Sequence, residues 1–183
     1  MLSAASELFR ARGYAGIGIA ELLEKSGAPR GSLYFHFPGG KEQIGAEVIN
    51  GFAVRTAARF RELDESGVDL DTFIVSVFKT TAKESKCCDF HGSCPIAAIA
   101  AGFGVDDQLF AVAIRDCFAA WEGAIVDVAR TRGMSEKNAA IFASAFLAAM
   151  EGAFVLSKAQ RSTAPHINAS RAMQALAAAL LVN

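Results

Sequence analysis

Arg30, Ser32, Tyr34 and His36 fall within seven residues, and Lys41 follows just beyond a Pro38-Gly39-Gly40 break. A guanidinium, two hydroxyls, an imidazole and an ammonium are donors of the kind that meet phosphate oxygens and the edges of bases. Residues 21–41 read ELLEKSGAPRGSLYFHFPGGK, two short helical stretches joined by a tight turn at Ser26-Gly27-Ala28. This is the pattern of a helix-turn-helix, in which the second helix enters the major groove of DNA. Between residues 25 and 41 the chain carries Lys25, Arg30 and Lys41 and no acidic side chain, although the whole chain has a formal net charge of -1. A local basic patch in a near-neutral chain indicates a docking face and argues against a generic polyanion binder.

These donors need a small, stiff frame. Leu2, Ala5, Leu8 and Phe9 are spaced for a helix over residues 2–12, which Gly13 closes. A second helix runs over about 19–25 with Leu22 and Leu23 inward. Gly27 permits the turn, and Pro29 occupies the first position of the third helix, where its missing N–H costs nothing. Phe35 and Phe37 are expected to plug the small core. Beyond residue 41 only helices are expected, over 41–65, 69–85, 95–101, 106–132, 135–160 and 165–181, with breaks at the 86–93 loop, Gly133 and the Ser162–Pro165 stretch. No alternating strand pattern occurs. The fold class is therefore all-α. The boundary falls near residue 46, with no linker, so the fourth helix should be shared by both parts.

Composition narrows the function classes. Hydrophobic residues make up 52% of the 183-residue chain, enough for a core and against disorder. No uninterrupted apolar run reaches the roughly 20 residues of a membrane span, and the N-terminal helix with Glu7, Arg10 and Arg12 lacks the order of an export signal. A cytoplasmic protein without membrane association is expected, and four cysteines in that setting read as thiols. Cys87, Cys88, His91 and Cys94 could hold zinc or sense oxidants. Their spacing is not that of a common zinc module, and the favoured reading is a loop whose thiols pack. A nucleophilic enzyme needs a nucleophile, a base and an orienting carboxylate. His91 beside Asp89 and a cysteine is mere adjacency, so no enzyme and no cofactor are expected.

Residues 2–50 resemble the DNA-binding head of the TetR-family transcriptional regulators. The resemblance is carried by Leu8-Phe9, Gly13-Tyr14, Leu22, Gly27, Gly31-Ser32-Leu33-Tyr34, His36-Phe37 and Lys41. The wording GAPRGSLYFHFPGGKEQ looks most like the drug- and flavonoid-responsive repressors of that family, and the stretch at 92–100 resembles a motif of their ligand domain. The chain departs from the family at Ile17 and Gly18, where hydroxyl residues usually cap the second helix, and in starting almost at the first helix, where the family tends to carry a basic extension.

The resemblance implies residues 1–46 as a helix-turn-helix DNA-binding domain and 47–183 as a ligand-binding and dimerisation domain. Arg30 is expected to read a base edge, with Ser32 and His36 beside it. Tyr34 resembles the family tyrosine that bonds backbone phosphate, Lys41 sits where phosphate would be drawn, and the amide groups after Gly18 could still donate to a phosphate. The family cavity lies among the middle helices of the second domain, which implies Phe78, Phe103, Trp121 and Phe154 as lining, with Thr81, His91 or Glu151 as polar anchors. Small residues on the last two long helices (Ala139, Ala140, Ala143, Ala148 and Ala149, then Ala172, Ala175 and Ala179) permit close helix approach. In the family those helices pair two subunits. The implied protein is a homodimeric repressor on a near-palindromic double-stranded operator, released by a small apolar or aromatic effector. A thiol- or metal-responsive DNA-binding regulator using Cys87, Cys88, His91 and Cys94 is the alternative.

Overall fold

The computed structural model describes residues 1–92, 94–102 and 108–182, without the side chains of 108 and 109. All regular elements among them are helical: α1 (Leu2–Arg12), α2 (Ile19–Ser26), α3 (Arg30–His36), α4 (Gly40–Glu65), α5 (Leu70–Cys87), α6 (Pro95–Ala100), α7 (Gln108–Thr131), α8 (Glu136–Gln160) and α9 (Ala164–Leu181). The chain divides into two compact units, Met1–Val54 with Gly92–Cys117, and Arg55–His91 with Phe118–Asn183. Helices α4 and α7 each contribute to both.

Local chemistry sets the helix ends. Asp69 caps α5 by accepting from the Thr72 amide at 2.7 Å, and Ser135 caps α8 by accepting from the Asn138 amide at 3.3 Å. The Thr72 hydrogen bonds hold the Asp69 carboxyl below the usual carboxylate range. Gly13 and Gly27 close α1 and α2 with φ of 75° and 65°, values in which a Cβ would be strained. The expected opening of α3 shifts by one residue: Pro29 is the extended N-cap (φ -63°, ψ 146°) and Arg30 is the first helical residue. The start expected at 106 for the seventh helix lies outside the described residues.

In the first unit Ala4, Ala5, Phe9, Ile17, Leu22 and Leu33 are buried, and α6 packs on α1. Tyr14 stands edge-on to Phe110 with ring centroids 4.7 Å apart. A Cβ built on Gly45 would lie 2.7 Å and 2.9 Å from two Phe110 ring carbons and 3.1 Å from a Tyr14 carbon. Gly45→Ala should therefore destabilise. Overpacking costs about 1–3 kcal/mol and the helix-propensity gain returns up to ~1 kcal/mol, so urea unfolding should show a net loss of about 1 kcal/mol.

In the second unit the core is aromatic. Phe60, Phe73, Phe78, Trp121, Phe142 and Phe146 are each at most 1% exposed, and Phe146 touches Phe73, Phe78 and Phe142 with centroids 5.1–6.0 Å apart. Helices α5, α8 and α9 pack on one another. Arg132 pairs with Asp64 and donates to the Val68 carbonyl at 2.8 Å, tying the end of α7 to the α4–α5 connection. By length and composition alone α8 could cross a bilayer, and 44% of its apolar window is buried inside the protein. Its two faces account for that hydropathy. Ala139, Phe142, Ala143, Phe146, Met150 and Phe154 face inward, while Ile141, Val155 and Leu156 are 48%, 59% and 51% exposed.

Candidate functional site

The turn between α2 and α3 is built locally. Ser26 Oγ donates to the Leu23 carbonyl at 3.2 Å, the Gly27 amide bonds the Glu24 carbonyl at 3.3 Å, and the Ala28 amide bonds Ser26 Oγ at 3.4 Å. The Pro29 carbonyl then accepts from the Ser32 and Leu33 amides. Helix α3 has seven residues, and of these Leu33 alone is buried. That one anchor turns the rest outward. Arg30, Tyr34 and His36 are exposed and Ser32 is half-buried. Arg30 makes no ion pair among the described residues, so its five donors face solvent. Lys25, by contrast, lies 3.1 Å from Glu7, and Arg12 pairs with Glu21.

Two expectations change here. Phe35 does not plug the core: it is 80% exposed, edge-on to His36 at 5.0 Å. Two residues from Leu33, it points to the opposite side of the helix, and Phe37 is half-buried. Ile17 is no cap position but a 2% exposed core residue. Gly18 alone is the N-cap of α2, extended at φ -95° and ψ 160°, with open space where a side chain would be. The first amides of α2 are thus left without a side-chain cap. Lys41 Nζ lies 4.0 Å above the Tyr14 ring, a cation–π contact that holds the ammonium beside the first turn of α4.

The interior residues named from the sequence separate into two groups. Phe78, Trp121 and Phe154 are at most 4% exposed and Thr81 is 7% exposed, and both carboxylate oxygens of Glu151 are shielded from solvent. His91 lies on the surface, its side chain 69% exposed and 3.6 Å from Asp89, so it lines no interior site. Phe103 lies outside the described residues. The histidine that does occupy the interior is His166. Its Nδ1 is 3.0 Å from Thr81 Oγ1 and its Nε2 is 2.9 Å from Ser85 Oγ, and Phe154 stands edge-on to the ring at 5.0 Å. Thr81 Oγ1 donates to the Phe78 carbonyl at 3.0 Å, so it accepts from Nδ1–H, and Ser85 donates to Nε2. A neutral imidazole is fully satisfied there.

Burial pushes the His166 pKa down to about 4 from 6.5. A base held neutral in the fold stabilises it fully above the unfolded value near 6.5, and this contribution is lost as pH falls toward 4. The full shift corresponds to about 3 kcal/mol. Urea unfolding should show stability falling between pH 7 and pH 4, and His166→Gln should remove that part of the slope.

The cysteine alternative does not assemble. Cys87 is exposed, Cys88 donates to the Glu84 and Ser85 carbonyls, and Cys94 is buried as the N-cap of α6. Among the described residues no three His, Cys, Asp or Glu side chains group to hold a metal ion.

A three-helix knob with one buried anchor and an outward donor helix is a helix-turn-helix DNA-binding head. Residues 1–48 match the family described as bacterial regulatory proteins, tetR family, and residues 72–172 match the C-terminal domain described as transcriptional regulator LmrA/YxaF-like. The chain is similar to the HTH-type transcriptional regulator LmrA of Bacillus subtilis (29% identical, over 93% of this chain and 90% of that protein). It is also similar to an uncharacterised HTH-type transcriptional regulator of Mycobacterium tuberculosis (30% identical, over 90% of this chain and 86% of that protein). Crystal structures of TetR regulators from Legionella pneumophila (TM-score 0.86, 17% identical, 94% and 92% covered) and Rhodobacter sphaeroides (TM-score 0.82, 20% identical, 94% of each covered) share the fold. This chain belongs to the TetR family of transcriptional regulators, with an LmrA/YxaF-like C-terminal domain. It is a regulator and not an enzyme.

Proposed function

We propose that the chain is a ligand-responsive repressor that works in the cytoplasm as a homodimer on a near-palindromic operator. Residues 1–46 are the DNA-binding domain, and 47–183 bind the effector and the second copy. The observation that carries this reading is Arg30: exposed, without an ion pair among the described residues, at the first turn of a helix whose Leu33 is pinned in the core. Arg30 reads a guanine edge through two hydrogen bonds. Ser32 and His36 flank it, Tyr34 and Lys41 hold phosphates, and the α2 amides after Gly18 meet another. Phe35, exposed on the same helix, adds an apolar surface suited to a thymine methyl.

Pairing through α8 and α9 is supported by their outer faces. Ala140 and Ala148 on α8 and Ala172, Ala175 and Ala179 on α9 are exposed, as are Ile141, Val155 and Leu156. Ala139 and Ala143 are 0% exposed in the core of one chain and drop out of that surface. The effector site is built on Phe78, Thr81, Trp121, Glu151 and Phe154. Their close packing means that an effector binds by favouring a more open arrangement, and it releases DNA only by its differential affinity for that state.

A gel shift on DNA upstream of the protein's own gene tests the reading. Lys41 is the one cationic phosphate contact assigned to each head, two per dimer, which gives a log–log salt slope of about -2 or steeper. A flat salt dependence would count against a specific operator complex.

A further inference from the structure

Between α5 and α9, in the second unit, runs a groove of about 360 Å³ with Phe78 and His166 among its lining, residues 1% and 0% exposed. Its size falls within the range of small-molecule sites. Two apolar side chains flank it, Val75 from α5 at 42% exposure and Ile167 from α9 at 48%. Lys79 and Arg171 also line it, one from each helix, and no acidic residue does. Neither cation makes an ion pair among the described residues. Ser170 lines the groove as well, 8% exposed, and its hydroxyl has no hydrogen-bond partner among the described residues. An apolar bed with two unneutralised cations and an accessible, unpartnered hydroxyl fits an organic anion with a flat or extended apolar body. Neither a neutral hydrocarbon nor an inorganic ion would use both features.

We propose that the α5–α9 groove is a binding site for an amphipathic carboxylate, its carboxylate held between Lys79 and Arg171 with Ser170 donating, and its apolar body laid over Phe78 between Val75 and Ile167. The groove shares Phe78 with the proposed effector site, while Trp121 and Glu151 are not among its lining. It lies along the seam that His166 closes by bonding Thr81 and Ser85 of α5, so an occupant bridges α5 to one of the two helices assigned to dimer pairing. The inference names a ligand class for a ligand-responsive regulator and to that extent rests on the proposed function.

Isothermal titration calorimetry of the intact protein with 2-naphthoate and its neutral counterpart 2-naphthamide tests it. One naphthoate per chain is expected, with the amide at least tenfold weaker. Lys79→Gln combined with Arg171→Gln should weaken naphthoate at least tenfold, to the level of the amide, while Lys137→Gln on α8 changes nothing. Absence of naphthoate binding, equal affinity for acid and amide, or undiminished binding by a folded double variant would overturn the site. A double variant that alters subunit stoichiometry while the unaltered protein takes no naphthoate would show the groove to be a contact between copies, and would also overturn it. The titration is repeated on the operator complex. Naphthoate that binds there without releasing DNA leaves the site standing and counts against the release reading alone.

Discussion

Replacing Arg30 with alanine should weaken operator binding by roughly 30-fold to 20,000-fold. An arginine paired with guanine through two hydrogen bonds is worth ~1–3 kcal/mol of base discrimination, and a symmetric dimer loses two of them, about 2–6 kcal/mol together. The fold should not change, because Arg30 is exposed and makes no ion pair among the described residues. Loss of helix propensity is no confounder either, since alanine is the better helix former. Binding curves for the variant against operators mutated one base pair at a time locate the contact. The base pair read by Arg30 becomes indifferent in the variant, while the others keep their effect. A variant that binds like the unaltered protein would move base reading to another residue, with Phe35 and His36 next in position.

The second large effect is expected at Val155. This residue is 59% exposed on the outer face of α8, in line with Ile141 and near Leu156, so Val155→Glu leaves the interior of the single chain intact. In a two-fold interface the change appears twice, placing two unpaired carboxylates in a desolvated apolar seam. Uncompensated buried charge costs several kcal/mol. The dimer should dissociate at least about 1,000-fold more readily, and sedimentation at micromolar concentration should report a single chain. Operator affinity should fall with it, because a lone head makes half the contacts. A variant that remains dimeric would remove α8 from the interface.

How much of this was legible in the sequence depends on whether the deciding physics is local. Asp69 and Ser135 are cap residues by type, and Gly13 and Gly27 adopt the positive φ that their positions demanded. The helix order follows from such signals. Phe35 shows where locality fails. Phe35 and Phe37 follow Leu33 at intervals of two, which fits no single face of a helix, and seven residues are too few for periodicity to choose the inward one. Leu33 is the one that the folded head buries, at 1% exposure. His166 is the other case. Its partners Thr81 and Ser85 are 85 and 81 residues away, and nothing in the local sequence distinguishes an interior histidine from one near a solvated helix start. The alanines of α8 and α9 were visible as small residues, but which of them face outward depends on how α5, α8 and α9 pack.

The most direct measurement is native mass spectrometry of the protein on a duplex bearing its near-palindromic operator, beside a duplex cut to one half-site. Two recognition helices about 34 Å apart require two chains on the full operator, and binding to the half-site should be at least a hundredfold weaker. A single chain on the full operator, or equal affinity for the half-site, would contradict a paired-head regulator.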